Sequence, residues 1–141
     1  LRLDRMPPIQ RQRIELLLGS LLYRDKRIEG CDAVTLVEVI EHLDQSRLKA
    51  MERIVFEKAH PQYVIVTTPN SEYNVKFESL PAGRFRHSDH RFEWTRAEFR
   101  LWADSVSECF GYTYEHSLIG PIDEAVGSVS QMVVFTRKEK A

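Results

Sequence analysis

Asp32-Ala-Val-Thr-Leu-Val-Glu-Val-Ile-Glu-His-Leu43 sets a short apolar run directly against a turn carrying two glutamates and a histidine. A near-continuous apolar stretch such as Asp32–Val37 reads as a strand covered on both faces, the pattern of a parallel sheet between helices. Glu38, Glu41 and His42 follow at i, i+3 and i+4, which on a helical turn projects them from one face, while Val39, Ile40 and Leu43 anchor that turn. Two carboxylates with one imidazole form a hard oxygen and nitrogen donor set. It suits Mg2+ or Mn2+, admits Zn2+, and suits copper or iron less. The bland alternative is a helix start with surface acids and a capping histidine. What favours a site is the position, at the carboxyl end of a buried strand, where α/β sheets bind ligands.

Working outward, Asp44–Ser46 offers helix-capping chemistry. Leu48, Met51, Ile54 and Val55 then recur at helical spacing to about Ala59, and Pro61 stops that helix. Tyr63–Thr67 is the next strand, ended by Pro69–Asn70. Residues 71–89 have no clear period and are basic around Arg84–Arg86, the mark of a long surface loop. Thr95 with Glu98 three residues on is a capping box for a helix whose apolar stripe is Phe99, Trp102, Ala103, Val106 and Phe110, closed by Gly111. Tyr112–Gly120 and Gln131–Arg137 read as two further strands. Upstream, Ile14–Leu18 ahead of Gly19–Ser20 is consistent with a buried strand, 21–30 with a loop or short turn, and Arg2–Arg13 with a helix tail and connector broken by Pro7–Pro8. The order implies an α/β layered sheet, largely parallel, with an antiparallel pair at its end.

A second cluster, Phe85-Arg-His-Ser-Asp-His-Arg-Phe-Glu-Trp-Thr95, packs two histidines, two arginines and several aromatics just before a helix. A histidine from this loop can complete a ligand set, and arginines beside aromatics suit phosphate and base contacts. Phe92 and Trp94 read first as core anchors. His60 reads as a helix-end residue and His116 as a structural strand residue.

With 141 residues, 43% hydrophobic and 29% charged, the chain is about one globular domain. A net charge of −1 excludes a global basic field, so RNA contact needs a local patch. Cys31 and Cys109 are too few and too distant for a disulfide framework and read as buried free thiols of a reducing, cytoplasmic compartment; Cys31 lacks a neighbouring histidine that would make it a nucleophile. No apolar run approaches the roughly 20 residues of a membrane helix, so no membrane partner is expected. The charged, proline-broken start does not read as a signal peptide.

Four segments carry a family resemblance: Gly19-Ser-Leu-Leu-Tyr-Arg-Asp25, Glu38-Val-Ile-Glu-His-Leu43, Thr68-Pro-Asn-Ser-Glu72 and Asp89-His-Arg-Phe-Glu-Trp-Thr-Arg96. In this order they resemble the metal-dependent small-RNA 3′-terminal ribose 2′-O-methyltransferases, most closely the bacterial members that work in RNA repair. The resemblance implies that Glu38, Glu41, His42 and His90 are the metal ligands, for Mn2+ or Mg2+. It places His87 behind them or against substrate, and Ser20 with Leu21 beside the cofactor S-adenosylmethionine. It implies a substrate RNA with a free 3′-terminal 2′,3′-diol, and an RNA-repair kinase or ligase as a protein partner. The implied fold is the Rossmann-like class I methyltransferase sheet. That sheet carries a glycine-rich cofactor loop after its first strand, and Gly19, Gly30, Gly83, Gly111, Gly120 and Gly127 compose no such loop. Residues 1–141 are therefore expected to be the C-terminal part of a class I domain, without its N-terminal cofactor-loop strands.

Two other classes compete on the same residues. A metal-dependent hydrolase or nuclease would use the glutamate–histidine cluster to activate water, needing no S-adenosylmethionine. A non-catalytic RNA-binding or interaction module would hold 3′-hydroxyl RNA regardless of chelator or of Glu41.

Overall fold

The computed structural model describes residues 5–139. In chain order the elements are α1 (Pro8–Arg11), β1 (Ala33–Val37), α2 (Gln45–Glu52), β2 (Tyr63–Pro69), α3 (Arg96–Phe110), β3 (Tyr112–Ile119) and β4 (Ser130–Arg137). They build one four-stranded mixed sheet in the order β1-β2-β4-β3. β1 runs parallel to β2, with Ala33 opposite Tyr63 and Val37 opposite Thr67. β4 is antiparallel to both β2 and β3, so the expected antiparallel pair is present at one end, but among the strands of the described residues only β1 and β2 pair in parallel and the sheet is not largely parallel. The fold is α/β, as the alternation of apolar runs and helical stripes implies.

Local chemistry accounts for most boundaries. Asp44 accepts a hydrogen bond from the Arg47 amide at 3.0 Å and starts α2. The helix continues as a π-helical stretch, Arg53–Ala59, and stops at His60, whose φ of 47° is left-handed and whose Nδ1 lies 2.7 Å from the Phe56 carbonyl. His60 thus has the helix-end role. The capping box of α3 is complete: the Glu98 amide donates to Thr95 Oγ1 at 3.2 Å while the Thr95 amide donates to Glu98 Oε2 at 2.8 Å. Gly111 closes α3 at φ 79°, a conformation that costs an L side chain. Thr95→Ala should lower stability by about 1 kcal/mol, read as a shift in the urea midpoint at unchanged slope. A change in slope instead would mean that the cap acts on more than the helix end.

The core lies between the sheet and the two main helices. Phe56 is its hub, with ring centroids 5.0 Å from Phe135 and 5.3 Å from Tyr112, both edge-to-face. Phe99, Trp102, Ala103 and Val106 bury the apolar stripe of α3. Phe92 and Trp94 stack at 4.2 Å and pack against this core, the anchoring role their sequence suggests. His116 is held between Arg100 and Gln131, a structural role.

Several expectations are corrected. Ile14–Leu18 is not a buried strand: it has no regular structure, and Leu18 is 96% exposed. A strand needs a ladder partner and a covered face, and no described residue supplies either here. β1 is not covered on both faces: it lies at the sheet edge, Leu36 alone is buried, and Val37 is 60% exposed. Cys31 and Cys109 are free thiols but exposed rather than buried. The 21–30 segment holds a 3₁₀ turn, Lys26–Ile28, capped by Asp25, within the range expected. Of the proposed N-terminal helix tail, α1 is a single turn, and residues 1–4 lie outside the described residues.

Candidate metal centre

Both parallel strands end on the same side, and the site is assembled there. After Val37 the chain turns sharply: Glu38 takes φ 51°, a left-handed value unusual for a residue with a Cβ. The turn is held because the Glu38 amide donates to the Thr67 carbonyl at 3.1 Å, carrying the β1–β2 ladder one step further. Such backbone costs on the order of 1–3 kcal/mol and clusters where side chains must be aimed. A 3₁₀ turn, Ile40–His42, follows. Glu38, Glu41 and His42 therefore do not share one helical face, and this corrects the reading from their spacing. A kink, rather than a helix, sends their side chains the same way.

The loop histidine arrives through one main-chain bond. The Arg91 amide donates to the Glu41 carbonyl at 2.7 Å, which clamps residues 87–91 onto the turn. His90 thereby meets His42 edge-to-face, with ring centroids 4.8 Å apart. Ligand atoms of Glu41, His42 and His90 all lie within 4.8 Å of one another. Glu38 lines the same cleft, of about 410 Å³, without entering that tight trio. His87 sits at its exposed edge, its ring 5.1 Å from that of His90.

Every member of the quartet has a polar side chain behind it. Thr67 Oγ1 donates to Glu38 Oε1 at 3.0 Å, and Thr68 Oγ1 donates to Glu41 Oε2 at 3.1 Å. His42 Nδ1 lies 3.0 Å from Asp89 Oδ2, and His90 Nδ1 lies 2.6 Å from Glu93 Oε1. Sequence reading missed these four partners as partners. The Thr67-Thr68 pair at a strand end was a weak signal, whereas Asp89 and Glu93 stood inside the quoted loop motif.

Glu41 decides what the cluster is suited to hold. It is 0% exposed, and its Oε1 has no hydrogen-bond partner among the described residues. Burial raises its carboxyl above the ordinary range and the nearby Glu38 carboxylate adds to this, against the Thr68 hydrogen bond and the pull of His90. A buried carboxylate with one unpartnered oxygen is costly alone, and a divalent cation shared with the neighbouring imidazoles of His42 and His90 removes that cost. The donors fit such an ion. By contrast Glu93, although burial works to raise it, is held below the usual carboxylate range by hydrogen bonds from Asn74, the Arg86 amide and His90.

Ser20 and Leu21 are not part of this cleft. The Leu22 amide donates to Ser20 Oγ at 3.1 Å within a local turn, and Leu21 packs against the core.

No family model matches the chain. It is nevertheless 53% identical to a solved methyltransferase domain of the bacterial protein CtHen1, superposing with a TM-score of 0.83 over 96% of this chain and 68% of that one. The chain belongs to the small RNA 2′-O-methyltransferase family. Among members of known sequence, it is 42% identical to the small RNA 2′-O-methyltransferase of Xenopus tropicalis, over 88% of this chain and 34% of that protein. It thus spans about a third of the length of such family relatives. A more distant structural likeness, 27% identical with a TM-score of 0.61, covers 74% of this chain and 22% of a chain in the Pnkp1/Rnl/Hen1 RNA repair complex. Among the described residues, no helix of this family member is long and apolar enough to cross a membrane.

Proposed function

We propose that the protein containing this chain transfers a methyl group from S-adenosylmethionine to the 2′-oxygen of the 3′-terminal nucleotide of RNA, and that this chain supplies the half of the site that holds the RNA end. Family membership supports the reaction class. The observation that carries the assignment of residues is the buried Glu41 carboxylate, one of whose oxygens has no partner among the described residues, converging with His42 and His90.

Glu41, His42 and His90, joined by Glu38, would hold Mn2+ or Mg2+. Such an ion supplies Lewis-acid polarisation of the vicinal ribose hydroxyls, which eases loss of the 2′ proton near neutral pH. The remaining work belongs to the chain's own side chains. The 3₁₀ turn and the clamped loop present acidic and imidazole groups to a ribose diol from two sides, so one hydroxyl is oriented relative to the other. His87, exposed and with its ring 5.1 Å from that of His90, would contact the terminal nucleotide. Ser20 and Leu21 are assigned a cofactor contact from the family resemblance, and S-adenosylmethionine supplies the methyl as a sulfonium.

The partner set follows the same reading: RNA with a free 2′,3′-diol, and an RNA-repair kinase or ligase, supported by the likeness to a chain of the Pnkp1/Rnl/Hen1 RNA repair complex. Residues 1–141 would form the C-terminal part of a class I domain, which fits the unpaired edge of β1 and its exposed Val37. Free thiols at Cys31 and Cys109 suit a reducing, cytoplasmic setting.

Incubating the full-length protein with a 3′-hydroxyl RNA oligonucleotide, labelled S-adenosylmethionine and Mn2+ should label the RNA and make its end resistant to periodate, because methylation removes the oxidisable diol. Label that leaves the terminal diol oxidisable would place the methyl elsewhere and end the proposal.

A further inference from the structure

We infer that Glu93 is the positioning residue for His90: its carboxylate holds the ring in the tautomer with the proton on Nδ1, so that Nε2 is the atom offered to a divalent cation. This rests on the metal-centre reading above and adds to it a residue that touches neither metal nor substrate.

Glu93 Oε1 takes the His90 Nδ1 contact at 2.6 Å and also accepts the Arg86 amide at 2.6 Å, while the Asn74 side-chain amide donates to Oε2. The Glu93 side chain has no exposed surface and that of His90 has 4%. The Asn74 orientation is fixed in turn, since Arg86 Nε donates to Asn74 Oδ1 at 2.6 Å. Arg86 is itself anchored, donating to the Val129 carbonyl at 2.8 Å and the Asn70 carbonyl at 2.6 Å. Three donors from two segments, the Asn74 turn and the 86–90 loop, therefore converge on one carboxylate with acceptor atoms only.

That arrangement rejects the isosteric amide. A glutamine at 93 with its oxygen toward His90 and the Arg86 amide sets its NH2 against the Asn74 NH2. Flipped, its NH2 faces the Arg86 N–H and forces His90 to accept at Nδ1. The ring proton then moves to Nε2 and removes the lone pair a metal needs. Asp89 behind His42 is the internal contrast: its side chain is 68% exposed, so water can replace it.

Mn2+ titration of the purified full-length protein, following free Mn2+ by electron paramagnetic resonance, tests this without turnover. Glu93→Gln should raise the Mn2+ Kd by about 10–100-fold. Asp89→Asn, behind the half-exposed His42, should raise it by less than Glu93→Gln does, because water can stand in for an exposed carboxylate. In a His90→Ala background Glu93→Gln should cost nothing further, because its effect passes through the missing ring. Circular dichroism of the metal-free variants checks folding. Where Glu93→Gln gives no folded protein, Glu93→Asp, which keeps the charge but withdraws it by one methylene, enters the same cycle against His90→Ala. A Kd within about twofold of wild type, or an equal loss with and without His90, overturns the positioning role. If the wild-type protein binds no Mn2+, the metal-centre reading falls and this one with it. If His90→Ala weakens binding while the Glu93 variants do not, the positioning role alone falls.

Discussion

Glu41→Gln should reduce methyl transfer by about 10³-fold or more, a loss of ~4 kcal/mol or more in transition-state stabilisation, while leaving the melting temperature of the metal-free protein unchanged or raised. The two halves of this expectation have one cause. Glu41 is fully buried, one of its oxygens is unpartnered, and Glu38 repels its charge. In the metal-free fold that carboxylate is a liability, and the amide relieves it at nearly constant volume. Under the proposed function the same carboxylate would be a metal donor together with the imidazoles of His42 and His90, backed by Thr68. Methyl incorporation at saturating Mn2+, paired with a thermal melt in chelator, reads both. An active variant would remove Glu41 from the donor set. An inactive variant that also melts many degrees lower would make Glu41 a core residue instead, and His42→Ala and His90→Ala would then have to carry the test.

Much of the scaffold was legible from local chemistry. The capping box at Thr95 and Glu98, the stripe from Phe99 to Val106, and the β3 and β4 strands appear where their residues imply. These features depend on neighbours within a few positions, which a sequence displays directly. Features set by distant contacts were misread. Ile14–Leu18 has strand-like composition, yet nothing pairs with it among the described residues. The spacing of Glu38, Glu41 and His42 suggests a helical face, but the Glu38 turn is dictated by Thr67, 29 residues away. The site itself was partly legible because two segments, 38–42 and 87–90, each carry several metal-donor types in a few residues. What joins them is the Arg91 amide on the Glu41 carbonyl, a backbone bond that no side-chain pattern announces. Glu93 was readable in principle, since a carboxylate is a common hydrogen-bond partner for a metal-facing imidazole and Glu93 stands within the same quoted motif as His90.

RNA ending in a 3′-phosphate should take up no methyl, and RNA ending in a 3′-deoxynucleotide should react at least about 10²-fold more slowly than the same strand with its diol intact. The two substrates fail for different reasons. The 3′-deoxy end keeps the 2′-hydroxyl that receives the methyl but loses the second oxygen that orients it, so it measures how much of the rate comes from holding the diol. The 3′-phosphate brings up to two negative charges into a cleft that already holds Glu38, Glu41 and Asp89. The nearest guanidinium there, Arg86, commits three of its five N–H donors to Asn74, Val129 and Asn70, which fixes it in the protein rather than turning it freely toward a phosphate. A metal-dependent nuclease built on the same cluster would behave oppositely, since phosphate oxygens are what such a site must bind, and it would cleave with Mn2+ in the absence of S-adenosylmethionine. Competition completes the comparison: 3′-phosphate RNA should not inhibit methylation of the diol substrate beyond what an unrelated strand does. Strong inhibition, or a 3′-deoxy end methylated at the full rate, would mean that the cluster grips a phosphate or a single hydroxyl, and the vicinal diol would no longer explain the choice of an RNA 3′ end.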